Sequence, residues 1–162
     1  MSVPATCFFT LNKQRMSRLF CPGFGSIPAF SGNKRYTNDP ASTAVPKDGP
    51  LPTGTYYIVD RPTGGRHAAL NDALMDLVSG THRTEWFALY RAGGIIGDYT
   101  YINGVRRGNF RLHPTGYWGI SEGCVTLPHP RQFEALSTYL KSQTTAKVPG
   151  TQIEYYGTVV VR

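Results

Sequence analysis

Apolar and polar residues alternate along much of this chain with the two-residue period of half-buried strands. Residues 6–11 and 14–20 carry the pattern on either side of Asn12-Lys13 and predict a β-hairpin. Residues 23–32 predict another strand, edged by glycines and interrupted by Pro28. The proline-rich stretch 33–50 suits a long loop rather than a strand. Leu51-Pro52-Thr53-Gly54 then turns into the strand Thr55-Tyr56-Tyr57-Ile58-Val59. The period changes over 66–78, where Leu70, Leu74, Leu77 and Val78 fall on one helical face and Gly80 caps the end. This helix sits in an insertion, residues 61–85, whose position suits a lid. Trp86-Phe87-Ala88-Leu89-Tyr90 returns to strand. Residues 100–112 read as one or two strands around Asn103-Gly104, a favoured hairpin turn pair. Pro130 suits the first turn of a second helix, with Phe133, Leu136 and Leu140 on its apolar face. Ile153, Tyr155, Val159 and Val161 alternate around Gly157 and predict a final strand with a bulge. No internal repeat or linker divides the chain. The expected fold is a single, mainly β domain over residues 1–162 with two short helices.

Length and composition narrow the class. A chain of 162 residues can bury roughly 70 % of its unfolded surface in one core. Its 18 glycines, 12 prolines and 10 tyrosines fit a loop-rich β protein better than a helical bundle or a disordered chain. The net charge of +7 favours acidic partners: nucleic acid, anionic lipid or an anionic polymer such as the cell wall. The cations are scattered, however, and the densest cluster is Arg106-Arg107 with Arg111. Without a basic arm, a dedicated nucleic-acid binder is disfavoured. Residues 1–13 show neither a basic n-region nor an apolar h-region, so a secretory signal is not expected and synthesis as a soluble cytoplasmic chain is. No apolar run approaches the roughly 20 residues of a membrane span.

The chemistry concentrates in Arg111-Leu112-His113-Pro114 and Ser121-Glu122-Gly123-Cys124-Val125-Thr126. A thiol becomes a competent nucleophile at neutral pH when a neighbouring imidazole takes its proton. His113 is the candidate base and Cys124 the candidate nucleophile. The backbone N–H groups of Gly123 and Cys124 are candidate oxyanion donors, since glycine tolerates the turn and close approach required. Ser121 is placed to hydrogen-bond within this loop. Arg107 and Arg111 are candidates to hold a substrate carboxylate. Tyr117 and Trp118, between His113 and Cys124, suit either a cleft wall or ordinary packing. Taken singly, each residue has a structural reading: a core thiol, a structural histidine, a strand start at Gly-Cys-Val-Thr. Their combination in a glycine-rich turn is what points to acyl transfer. A backbone carbonyl or the distant Asp98 would orient His113. The spacing of Cys124, His113 and His129 matches no standard zinc pattern, so neither a metal nor another cofactor is expected. Gly64-Gly65 and Gly93-Gly94 lack the lysine of a phosphate loop. Cys7 and Cys21 are read as small buried apolar residues on neighbouring strands, with pairing in an oxidising compartment as the alternative.

His113 with Ser121-Glu122-Gly123-Cys124, preceded by Pro52-Thr53-Gly54-Thr55-Tyr56, resembles the L,D-transpeptidase catalytic domain. The chain is still more similar to the small L,D-transpeptidase-like effectors of type VI secretion systems. That similarity is carried by Ala29-Phe30-Ser31-Gly32, by Gly49-Pro50 running into the Pro52–Ile58 stretch, by Glu85-Trp86-Phe87-Ala88-Leu89-Tyr90 and by Arg107-Gly108-Asn109-Phe110-Arg111-Leu112-His113-Pro114, and it spans residues 8–140. The resemblance implies a β-sandwich-like fold and action on peptidoglycan stem peptides. Its cysteine attacks the meso-diaminopimelate carbonyl of a tetrapeptide and releases the terminal D-alanine. Water then completes an L,D-carboxypeptidase reaction, a D-amino acid an exchange, and a second stem a crosslink. The chain departs from wall-building members at Glu122, where they carry histidine, and at Thr126, where they carry arginine or asparagine. Its histidine-to-cysteine spacing is also shorter. The carboxylate contact then falls to Arg107 or Arg111, and trimming or exchange is favoured over crosslinking. A toxin delivered into a neighbour's periplasm reconciles a wall substrate with the lack of an export signal. It implies the secretion machinery and a periplasmic immunity protein as partners. The alternatives are a thiol peptidase cutting another stem bond and a non-catalytic basic module that binds peptidoglycan.

Overall fold

Alternating burial along each segment resolves into strands that share one inner face. The computed structural model describes residues 3–61, 86–115 and 123–162. The predicted helix at 66–78 and nearly all of the candidate lid lie outside the described residues. Strands β1 (Ala5–Phe9), β2 (Ser17–Cys21) and β3 (Gly25–Ala29) form an antiparallel meander, with Phe8 opposite Phe20 and Leu19 opposite Ile27. The hairpin is the predicted one, but its connection is the whole of residues 10–16 rather than a two-residue turn. Asn12 folds that connection, accepting from the Gln14 N–H and donating to the Met16 carbonyl.

The main sheet continues through β4 (Gly54–Asp60), β5 (Phe87–Arg91), β8 (Arg111–Pro114), β9 (Val125–Leu127) and β11 (Glu154–Val161). Its order is β3-β2-β1-β11-β4-β5-β8-β9, with the short β10 (Ala146–Lys147) added on β11. Two neighbouring pairs, β1 with β11 and β8 with β9, are parallel. Beyond β3, Phe30 bridges to Thr126 on β9 through two backbone hydrogen bonds of 2.9 and 2.8 Å. The first and last strands of the path therefore meet, and the mainly β fold takes the form of one sheet curled almost shut. Strands β6 (Tyr99–Ile102) and β7 (Val105–Gly108) form a separate hairpin. Asn103 and Gly104 both take positive φ at its tip, as the favoured turn pair predicts.

The core fills the inside of the curl. Phe9, Leu19, Tyr56, Ile58, Phe87, Leu112 and Val159 meet there. Helix α1 (Pro130–Lys141) opens at the predicted proline and closes over this core with Phe133, Leu136 and Leu140. Near the start of β11 the register slips between Tyr155 and Gly157, the predicted bulge. Glycine is required there because a Cβ would lie 2.6 Å from the Ala5 carbonyl oxygen on β1.

Cys7 and Cys21 correct the sequence reading, for they are joined in a disulfide. The β1–β2 register sets them directly opposite one another, with their Cα atoms 4.1 Å apart. Two inward-facing thiols at one cross-strand position are within bonding reach, which burial alone does not reveal. The bridge closes a short loop, with a sequence separation of 14, and a loop of that size is worth about 3 kcal/mol by restricting the unfolded chain. Replacing both cysteines by alanine is expected to lower unfolding free energy by about that amount, read from the denaturation midpoint at unchanged slope.

Candidate active site

The parallel pairing of β8 and β9 puts His113 opposite Thr126 and Leu112 opposite Val125. Leu112, Val125 and Leu127 face the core. The two-residue period turns His113, Thr126 and, one pleat earlier, Cys124 to the other face. Histidine and thiol thus share one face of the sheet. Both line a cleft of about 550 Å³. They are only 5 % and 7 % exposed respectively, so each is presented at the cleft floor rather than on an open surface.

Three contacts fix the imidazole. Its Nδ1 lies 2.6 Å from the Pro114 carbonyl oxygen. A carbonyl can only accept, so Nδ1 carries the proton and Nε2 is left as the basic nitrogen. Nε2 lies 3.3 Å from the hydroxyl of fully buried Thr126. The Trp86 ring stacks on the imidazole with centroids 4.4 Å apart. Among the described residues, the group that orients this histidine is a backbone carbonyl. Asp98 is engaged elsewhere: its carboxylate accepts from Arg111 at 2.7 Å.

The thiol sits where the chain enters β9. Cys124 Sγ is 3.8 Å from the Asn109 carbonyl, toward which the S–H is directed. Gly123 before it has φ +76°. A Cβ there would lie 2.6 Å from Arg107 Nη2 and 3.0 Å from the Phe110 ring. Both the backbone conformation and the close approach of Arg107 therefore select glycine.

Arg107 and Arg111 both reach the cleft, yet both make bonds within the protein. The Arg107 side chain is buried, and its guanidinium donates to the carbonyls of Thr43, Gly49 and Pro50. Desolvation lowers its pKa from the usual arginine value, but a guanidinium starts so high that it stays charged. The loop that supplies these carbonyls is itself pinned by buried polar groups. Asn38 accepts from the Ser31 N–H and donates to the Gln14 carbonyl, and Ser31 Oγ accepts from the Leu51 N–H. Arg111 is occupied by Asp98 and by the Phe110 carbonyl. At the rim, Lys47 and Arg106 are exposed, and Arg106 lies over the Tyr99 ring at 4.0 Å.

Sequence reasoning did not assign Trp86, Lys47 or Arg106 to the site; it expected a backbone carbonyl as one candidate to orient His113 without naming Pro114, and it singled out Thr126 only as a departure from the family motif. The β8–β9 register is the signal that would have found Thr126, and it is not written in local sequence. Ser121, Tyr117 and Trp118 lie outside the described residues. No helix among the described residues is long and apolar enough to cross a membrane.

Residues 25–151 match the family model of the Tlde1 domain. Neither the curated proteins nor the solved structures give a match to this chain.

Proposed function

Because the chain belongs to the Tlde1-domain family of type VI secretion effectors, we propose that it is a thiol enzyme delivered by that machinery to cut peptidoglycan stem peptides. The observation that carries this reading is the His113–Pro114 hydrogen bond, which leaves Nε2 basic on the face it shares with Cys124.

In this reading His113 Nε2 takes the Cys124 proton. The thiolate attacks the carbonyl of meso-diaminopimelate in a tetrapeptide stem. The Gly123 and Cys124 N–H groups receive the resulting oxyanion. Collapse breaks the C–N bond, and the departing D-alanine amine takes its proton from the imidazolium. Water, deprotonated by His113, then attacks the thioester, restoring the thiol and leaving a tripeptide acid. A D-amino acid attacking in place of water gives exchange. Arg107 and Arg111 shape the positive cleft from inside it. Lys47 and Arg106, free of carboxylate partners among the described residues, are better placed to meet the substrate's own carboxylates. The Cys7–Cys21 disulfide favours action in an oxidising compartment such as the periplasm of a target cell. A producer would then need a periplasmic immunity protein.

The test is digestion of purified disaccharide-tetrapeptide, followed by mass spectrometry. Release of the terminal alanine to give the tripeptide is the expected result. With an added D-amino acid, the exchanged tetrapeptide should also appear. Cleavage at another stem bond, or binding to sacculi with no product, would overturn the reading.

A further inference from the structure

The cation of Arg107 is buried beside the thiol, and no carboxylate among the described residues is its formal counter-charge. Arg107 is 4 % exposed, and its fork is filled by the carbonyls of Thr43, Gly49 and Pro50. Those carbonyls accept three hydrogen bonds from it but carry no net charge. Among the described residues, no carboxylate forms an ion pair with it. The loop whose carbonyls grip the side chain is itself anchored near its ends by the Ser31–Asn38 pair and by the Leu51 N–H on Ser31 Oγ. Its Nη2 edge lies against Gly123, at the distance where a single Cβ would collide, and the next residue is Cys124. A buried charge lacking a counter-ion is costly, and it strongly favours whatever anion forms beside it. Deprotonated Cys124 is that anion.

We propose that Arg107 is a positioning residue acting through Cys124: its fixed positive charge stabilises the thiolate, so the thiol is partly ionised even before His113 takes its proton. This rests on Cys124 being the nucleophile. The other charged groups around the thiol do not replace Arg107. Arg111 is neutralised by Asp98, while Lys47 and Arg106 stand on the exposed rim, and Arg61 lies over the Trp86 ring at 5.8 Å. Among the described residues, His113 is the other titratable group on the floor, and the Pro114 carbonyl and Thr126 hold its ring. Tyr56, near Arg107, is kept neutral by burial and spends its hydroxyl on the Pro52 carbonyl.

The charge is tested through the pH dependence of Cys124 alkylation by iodoacetamide, which needs no peptidoglycan. Cys7 and Cys21 are bonded to each other, so only Cys124 reports. The wild-type thiol should titrate below the ordinary value of about 8.5. Arg107→Met should raise its midpoint by at least one pH unit and slow alkylation at pH 7 about tenfold, as one unit of thiolate titration implies. Arg107→Lys, keeping the charge but not the fork, should recover most of the shift. His113→Ala is a second route that leaves the arginine and its loop intact: its thiol should still titrate below about 8.5. A midpoint unchanged in folded Arg107→Met overturns the proposal. So does a normal or raised midpoint in His113→Ala, even when Arg107→Met does not fold. Stem cleavage that survives Cys124→Ala would instead remove the functional reading, an outcome the alkylation profiles cannot mimic.

Discussion

Cys124→Ala is expected to abolish release of the terminal residue from tetrapeptide stems, with a loss on the order of 10⁶, as when the nucleophile of a hydrolytic site is removed. The size follows from the lack of a substitute. The chain has three cysteines, and the other two are consumed in the Cys7–Cys21 bridge. Among the described residues the hydroxyl beside His113 is that of Thr126, which is wholly buried and bonded to the imidazole, so it does not take over. Cys124→Ser should be nearly as inactive, since the serine hydroxyl ionises far above the thiol and the imidazole cannot make up the difference. Both variants should remain folded, because the change removes or replaces one small atom at the core's edge. Thermal melting checks the fold, and product mass checks the chemistry. Full activity in folded Cys124→Ala would dismiss covalent catalysis at this site.

His113→Ala carries the second large effect, a fall in turnover of about 10²–10⁴. The ring is held on three sides, by the Pro114 carbonyl, the Thr126 hydroxyl and the Trp86 stack. Such restraint makes sense for a group that must accept and return a proton at a fixed point in space. Without it, the remaining rate should depend on thiolate formed by solvent base and rise with pH through the thiol's own titration. Added imidazole should restore part of the lost rate by occupying the space left between Trp86 and Thr126. His113→Gln, which keeps bulk and hydrogen bonding but not basicity, should stay impaired. Near-normal turnover in His113→Gln would show that the ring positions the loop rather than moving protons.

Local chemistry made several features readable in the sequence. Asn103-Gly104 announces its hairpin because both residues tolerate positive φ. Pro130 with Phe133, Leu136 and Leu140 announces α1 because a proline start and a helical apolar stripe agree. Gly157 announces its bulge. His113 and Cys124 stand out because their residue types and their glycine-rich surroundings suit one chemistry. What escaped notice depends on registers and long-range approach. The disulfide follows from Phe8 pairing with Phe20, and nothing in the connection 10–16 dictates that offset. Thr126 becomes a partner of His113 only through the parallel pairing of β8 with β9. Arg107 reads in the sequence as a cation clustered with Arg106 and a candidate to hold a substrate carboxylate. Its burial depends on carbonyls from a loop more than fifty residues earlier, with separations of 57, 58 and 64. Pattern reasoning sees donors and acceptors on side chains, while the groups that hold both Arg107 and His113 are main-chain oxygens present at every residue.

The bridge between Phe30 and Thr126 sets how the molecule breathes. Only two main-chain hydrogen bonds join the ends of the sheet there, whereas β4 and β11 are laced together along six registered positions. Amide deuterium uptake at Phe30 and Thr126 should accordingly outpace that of central β4, reporting partial openings that never reach global unfolding. Each such opening frees one edge of the strand that follows Cys124 and carries Thr126. Loss of catalytic competence on warming should therefore precede loss of the β-sheet circular dichroism signal, leaving an interval in which the barrel-like body persists with its reactive corner unlatched.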